Sequence, residues 1–298
     1  MSTQLKANLM LLIVTIFWGS SYLFMKMGLV SIPEFNLIAL RFGIAFLLAG
    51  IVFYRRLLKT DFKTIKYAFV LGTILVSVFA SITYGVKTTS ASNAGFLVSL
   101  TVIFVPLLLA VFFKKRPEKR IIFGVSLALT GIGFLTLNHQ LKINIGDFLC
   151  ILGALFYAIH IIVTAKLTKN VDSITLGVLQ LGFTGAWGLL FSIFLETPRL
   201  PSTTESWASI LVLGVLCSAF GFVTQTIAQK YTTPTHTGLL FSFEPIFAAI
   251  FAFAFAGEIL TIKGYIGASL VLLGVITAEI DFKKVSMKKG YNKINQGY

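Results

Sequence analysis

Residues 87–131 read KTTSASNAGFLVSLTVIFVPLLLAVFFKKRPEKRIIFGVSLALTG, and residues 230–274 read KYTTPTHTGLLFSFEPIFAAIFAFAFAGEILTIKGYIGASLVLLG. Set side by side at an offset of 143, the two stretches share Thr89/Thr232, Gly95/Gly238, Leu97/Leu240, Ser99/Ser242, Ile103/Ile246 and Phe104/Phe247. Further on they share Gly124/Gly267, Ser126/Ser269 and Gly131/Gly274. Both place a polar loop, an apolar run, a second loop and a second apolar run at the same spacing. Earlier in the chain the correspondence continues at an offset near 139: Phe17-Trp18 falls on Phe156-Tyr157, and Gly43 on Gly182.

The apolar runs set the fold class. Of 298 residues, 56% are hydrophobic and 12% charged, against about 25% charged in a soluble domain. Mean hydropathy is +0.89. Disorder, collagen and a disulfide-stapled secreted domain are excluded, and a polytopic membrane protein is left. A bilayer core about 30 Å thick needs about 20 apolar residues per helix. Ten stretches qualify: 8–30, 34–54, 66–86, 92–113, 120–138, 146–166, 173–195, 207–229, 235–256 and 262–281. Backbone groups in lipid must be satisfied internally, so these are helices; the alternating ten-residue segments of a β-barrel are missing. The first run follows Lys6 like a signal peptide, but it extends through Trp18 to Val30 and is expected to be an uncleaved span.

The net charge of +14 would suit nucleic acid if it lay in one patch. It lies instead in short loops between apolar runs, so no nucleic acid partner is expected. With the N-terminus inside, nineteen Lys and Arg fall on the cytoplasmic side and four outside (Lys87, Lys142, Arg199 and Lys263). Both termini are therefore expected in the cytoplasm of a multi-pass cell-membrane protein.

Five spans per repeat is an odd number, so the second repeat (146–281) enters the membrane inverted relative to the first (8–138). A basic tail, 282–298, follows; its lysines suit solvent or lipid headgroups. Inverted repeats mark secondary transporters with a substrate site near the midplane. No G-x-x-x-x-G-K-[ST] is present to bind ATP, which points to an ion or solute gradient as the energy source. Cys150 and Cys217 lie inside apolar runs without C-x-x-C spacing, so neither a metal nor a disulfide framework is expected, and no cofactor. His139, His160 and His236 are far apart, and no paired-acid motif accompanies them, which argues against an intramembrane enzyme.

Polar groups at membrane depth are functional candidates by default. Glu244 lies about 14 Å into its span at 1.5 Å per residue, near the midplane, where it can bind and release a proton or meet a cationic group. Pro245 cannot donate to the Phe241 carbonyl, so a kink is expected there. Arg41 can snorkel outward, hold Glu244 or Glu34, or meet an anionic cargo. Gln180 is its counterpart in the second repeat. His160 is a packing residue or a site residue. In Trp18-Gly19-Ser20-Ser21-Tyr22, small residues permit close helix approach, and Trp18 and Tyr22 share a face on which a planar substrate can stack. Trp187 and Tyr157 are weaker versions of the same signal. Lys26 is expected to snorkel, Glu258 to make a helix-end contact, and Asn93 and His236 to cap helices.

With those residues in hand, the chain resembles the EamA-type branch of the drug/metabolite transporter superfamily over residues 8–281. The resemblance is carried by Phe17-Trp18-Gly19-Ser20-Ser21, Arg41-Phe42, Phe243-Glu244-Pro245, Gly257-Glu258 and Gly264 to Gly274. It implies an all-α carrier of ten helices, as two inverted five-helix repeats, that exports amino acids or other small metabolites. One departure stands out: where the first repeat of such proteins often carries Gly-Glu, this chain has Lys114-Lys115-Arg116-Pro117. The expected function is a secondary transporter with Trp18, Ser21, Tyr22, Arg41, His160 and Gln180 at the substrate and Glu244 coupling protons. The partners expected are a small-molecule substrate and the lipid bilayer, for a monomer or homodimer. The alternative is a facilitative carrier or an antiporter for phosphorylated sugars, nucleotide-sugars or drugs.

Overall fold

The computed structural model describes residues 3–112, 119–136, 144–241 and 243–279. The tail 282–298, the Lys114–Pro117 segment, His139 and the His236 side chain lie outside the described residues. Among those described, the chain is all α-helical. The order is α1 (Thr3–Leu29), α2 (Glu34–Val52), α3 (Tyr54–Leu57), α4 (Phe62–Thr88), α5 (Ala91–Val98), α6 (Thr101–Phe112) and α7 (Lys119–Thr136). Then come α8 (Ile145–Leu167), α9 (Ser173–Leu195), α10 (Thr204–Val212), a π-helical stretch (Leu213–Phe220), α11 (Gly221–Gln229), α12 (Pro234–Phe241), α13 (Glu244–Ala256) and α14 (Ile262–Glu279). Seven helical segments are long and apolar enough to cross a membrane; Ile122–Phe134, Glu244–Ala256 and Ile262–Gly274 are shorter apolar helices. This is a multi-pass membrane protein.

Local chemistry marks the helix ends. Asp61, Ser90, Asn144, Asp172 and Thr203 each accept a backbone N–H from the first turn of the helix that follows, satisfying donors that have no intrahelical partner. The cap of α5 is therefore Ser90, where Asn93 was expected: the Asn93 backbone N–H donates to Ser90 Oγ at 3.0 Å. Gly257 ends α13 at φ 63°, a left-handed conformation that favours glycine.

Two predicted spans are broken, and at the same repeat position. α5 stops at Val98 and α6 starts at Thr101; α12 stops at Phe241 and α13 starts at Glu244, 143 residues later in each case. The hydrogen bonds across the breaks also correspond. Leu100 N–H donates to Leu97 O, and the Leu100 carbonyl accepts from Ile103 and Phe104; Phe243 N–H donates to Leu240 O, and the Phe243 carbonyl accepts from Ile246 and Phe247. The kink expected from Pro245 is thus a full interruption, with Pro245 in the first turn of α13, where its missing N–H costs nothing. The first break has no proline; Pro106 lies further on, inside α6.

The helices pack in couples. α2 packs on α9 and α7 on α14; α4 packs on α8 as α1 does on α10 and α11; α4 meets α9 as α2 meets the π stretch. Each pairing turns into itself or into another when α1–α7 are exchanged with α8–α14. The crossing of α7 and α14 shows this at atomic scale. A Cβ on Gly131 would sit 2.6 Å from the Gly267 carbonyl oxygen, and one on Gly274 would sit 2.5 Å from that of Gly124. The sequence aligns Gly124 with Gly267 and Gly131 with Gly274, so these are one contact seen twice. Without a hydrophobic drive between helices in lipid, such backbone approach is what holds them together.

Gly131→Leu or Gly274→Leu should therefore lower the thermal midpoint in detergent, by the equivalent of about 1–3 kcal/mol. Gly43→Ala, where a Cβ meets nothing within 4 Å, should leave it unchanged or raise it. Equal midpoints for Gly131→Leu and Gly43→Ala would contradict this account of the crossing.

Candidate functional site

A narrow cavity of about 30 Å³ opens beside the two breaks. Val98, the last residue of α5, and Glu244, the first of α13, both line it. Trp18, Ser21, Tyr22 and Arg41 line it as well, so five of the seven residues singled out from sequence share one space. His160 and Gln180 do not reach it. They pair with each other, His160 Nε2 to Gln180 Oε1 at 3.0 Å, and Gln180 Nε2 donates to Thr226 Oγ1 at 3.0 Å. Trp187 is elsewhere too, its indole N–H on Thr73 Oγ1.

Glu244 is placed by glycines. A Cβ on Gly19 would strike the Phe247 Cβ and come within 3.0 Å of the Glu244 carbonyl oxygen; one on Gly95 would lie 2.5 Å from Ala248 Cβ. The first turn of α13 is thereby seated against α1 and α5. One turn along α1 from Gly19, the Tyr22 hydroxyl donates to Glu244 Oε1 at 2.5 Å. Glu244 is otherwise enclosed, with 7% of its surface exposed.

Arg41 is 1% exposed. It neither snorkels nor pairs with a carboxylate: its Nε donates to Ser218 Oγ at 2.6 Å, while Glu34 is taken by Lys87 at 2.6 Å. The guanidinium carbon stands 4.3 Å from the Phe79 ring centroid and 5.2 Å from that of Phe42, contacts worth about 1–2 kcal/mol to a desolvated cation. One terminal nitrogen, Nη1, has no hydrogen-bond partner among the described residues. A buried guanidinium so incompletely matched favours an anion in the cavity.

The π stretch of the chain explains two of these contacts. Its wider turn presents the Cys217 carbonyl, which accepts the Trp18 indole N–H at 2.7 Å, next to the Ser218 hydroxyl that holds Arg41. π turns inside α-helices often sit at functional sites. Gly221 completes the fit, since a Cβ there would lie 2.6 Å from Trp18 Nε1. The Trp18 ring is packed on three others, with centroids 4.9 Å away for Phe222, 4.9 Å for Phe241 and 5.8 Å for Tyr157. It closes one end of the cavity. Cys150 and Cys217 are free and buried; among the described residues no cluster of His, Cys, Asp and Glu suits a metal. Phe79, Phe222 and Ser218 were not singled out from sequence. At the offset of 139 Phe79 corresponds to Ser218, and both touch Arg41; that correspondence was the available signal.

The opposite end is tied by carboxylates that reach across the molecule. Glu258 accepts the Ala91 and Ser92 backbone N–H groups at the start of α5, each at 3.1 Å, and lies 3.6 Å from Lys26 Nζ. Glu196 accepts from Phe35 and Asn36 at the start of α2. Lys26 is thus paired, where snorkelling was expected. Burial opposes the Glu258 charge, but the Ser92 and Ala91 amides, the Ser92 hydroxyl and Lys26 together hold its carboxyl below the usual range. At the other end Asp172 is likewise lowered: burial opposes this, and the Thr175 hydroxyl and amide, then Arg56 and Lys230, outweigh it.

Three comparisons place the chain among known proteins. The EamA-like transporter family model matches residues 5–137 and again 144–278. The chain belongs to that family. A relative from Archaeoglobus fulgidus, named an uncharacterized transporter, is 32% identical over 278 residues, covering 93% of this chain and 87% of that protein. The uncharacterized transporter YoaV of Bacillus subtilis is 24% identical over 289 residues, 94% of this chain and 99% of its own. A solved crystal structure shares the fold at a TM-score of 0.68 with 17% identity, covering 92% of this chain and 96% of the other. Family and relatives make this EamA-like protein a membrane transporter of small molecules.

The Glu258 contact yields a pH prediction. A carboxyl lowered in the folded state stabilises fully above its unfolded value of 4.5, and the contribution fades as pH falls below it. Glu258→Gln should cost on the order of 1 kcal/mol at pH 7, and the difference in thermal midpoint from wild type should shrink as pH falls below 4.5. A pH-independent difference would show that the charge is not what matters.

Proposed function

We propose that this EamA-like transporter is a secondary carrier that exports a small zwitterionic metabolite by alternating access, amino acids being the class that fits. The observation that carries the reading is one cavity, lined at the two helix breaks, in which a buried guanidinium with an open nitrogen and a buried carboxyl are offered together. Arg41 Nη1 takes an anionic group of the cargo, Glu244 takes an ammonium or a proton, and Trp18, Tyr157, Phe79 and Phe222 surround the apolar part. Discontinuous helices at corresponding positions in two repeats are where secondary transporters bind their substrates. Ten membrane crossings fit this reading, as inverted five-helix repeats over 8–138 and 146–281 with both termini in the cytoplasm of the cell membrane. The exchanged helix couples and the bias of basic residues support it.

An antiporter of phosphorylated sugars or nucleotide-sugars fits less well. A phosphate ester calls for several cations, and among the described residues Arg41 is the one cation lining the cavity. A pore is separated from a carrier by counterflow, which needs one-for-one exchange.

The test is an export screen. Cells producing the wild type, Glu244→Gln, Arg41→Gln or no transporter are loaded with dipeptides that release single amino acids, and the medium is followed over time. The wild type should clear one amino-acid class faster than control cells. Arg41→Gln should slow that export at least tenfold, the effect of removing about 1.4 kcal/mol of differential binding. Glu244→Gln should remove the dependence of export on external pH. Export by both variants at the wild-type rate and pH dependence would refute this site.

A further inference from the structure

Beyond the rings that close the cavity lies a set of buried polar groups that the binding site does not use. Gln229 is fully buried, and neither its Oε1 nor its Nε2 has a hydrogen-bond partner among the described residues. Gln225 is equally buried; it stands beside the Tyr157 hydroxyl, yet neither group makes a well-formed hydrogen bond. His160 gives Nε2 to Gln180 and leaves Nδ1 open, and Thr164 Oγ1 is open too. On α1, Asn8 Oδ1 is in the same condition.

These groups fall in register. Phe222, Gln225 and Gln229 occupy positions i, i+3 and i+7 of α11, and Tyr157, His160 and Thr164 the same positions of α8, so each set forms one stripe along its helix. Each stripe starts with a ring at the cavity and continues in polar groups toward the C-terminal end of its helix. α1 runs the opposite way, with Trp18 at the cavity and Asn8 near its N-terminal end. All three polar ends point to the face of the bundle near Lys6, Lys166 and Lys230, the face the charge bias assigns to the cytoplasm.

A buried polar group without a partner costs about 1–3 kcal/mol, and leucine at these positions would avoid that cost. Six residues carrying such groups on three helices, aligned with the binding cavity, have a simple physical rationale in a molecule with a second conformation. We infer that Gln225, Gln229, His160 and Thr164 line the path between the central cavity and the cytoplasm in the alternate state, where water and the passing solute satisfy their open donors and acceptors. The inference rests on the alternating-access reading. In the conformation described, Trp18, Tyr157, Phe222 and Phe241 are the closed gate over this path, their centroids 4.9–6.0 Å apart. The lining is amide, hydroxyl and imidazole. It suits a hydrogen-bonding solute of no net charge, neutral or zwitterionic, and offers no counter-charge to a phosphate ester.

Single cysteines test the path without knowledge of the cargo. In a Cys150→Ala, Cys217→Ala background, cysteine replaces Gln225, Gln229, Thr164 (a near-isosteric change), the cavity residue Ile82, or the fully buried Leu71. A membrane-impermeant maleimide is applied to right-side-out and to inside-out vesicles. Ile82→Cys should label from right-side-out vesicles. Gln225→Cys, Gln229→Cys and Thr164→Cys should label from inside-out vesicles only, at least tenfold faster than Leu71→Cys. If these three react as slowly as Leu71→Cys from both sides while Ile82→Cys labels, the path is refuted and the cavity reading stands. If Ile82→Cys is silent as well, alternating access through this cavity fails, and the path with it.

Discussion

Backbone groups have nowhere to turn in hydrocarbon. An N–H or C=O left without a partner there costs several kcal/mol, so a helix can be interrupted at membrane depth only where other helices enclose the interruption. This chain interrupts two helices, at Val98–Thr101 and at Phe241–Glu244, and much of the remaining structure encloses them. Gly19 and Gly95 bring α1 and α5 against the first turn of α13. The i→i+3 bonds of Leu100 and Phe243 keep each break short. In return, a carboxyl and the cavity it lines sit in the interior of the bundle.

The same constraint governs the side chains around the cavity. Three polar groups that face it are tied down by one hydrogen bond each. The Tyr22 hydroxyl is committed to Glu244, the Trp18 indole to the Cys217 carbonyl and the Arg41 Nε to Ser218. Arg41 Nη1 remains open. The π stretch matters because it carries, side by side, the Cys217 carbonyl that Trp18 uses and the Ser218 hydroxyl that holds Arg41. Rings rather than charges close the far side, which suits a barrier that has to open: aromatic contacts of about 1 kcal/mol each separate more readily than buried ion pairs. The outer end is tied differently, with Glu258 and Glu196 each capping a helix that belongs to the other half of the chain.

Much of this was legible beforehand, and the limits are instructive. Helix and membrane followed from apolar runs and their spacing. Glu244, Arg41, Trp18 and Tyr22 stood out because polar or aromatic residues at mid-span are costly or specific. His160 and Gln180 stood out for the same reason and belong to another polar cluster, since depth along a helix does not say which way a side chain faces. Lys26 and Glu258 were each read alone, and their pairing depends on two chain ends meeting across the bundle. Asn93 was expected to cap α5, a role that Ser90 takes because its hydroxyl is in the N-cap position.

The sequence by itself determined the helical class, the loops and the duplication, because period, hydropathy and offset are properties of the chain read in order. Tertiary structure alone decided that both repeats break at one position, that a π turn supplies the partners of Trp18 and Arg41, and that the glutamines of α11 are buried, without well-formed hydrogen bonds among the described residues. Those outcomes depend on which helices meet and how closely. Glycines where an added Cβ would come within about 2.5 Å of a neighbour and the directions of side chains set that closeness, and both are fixed only when all the helices are packed together.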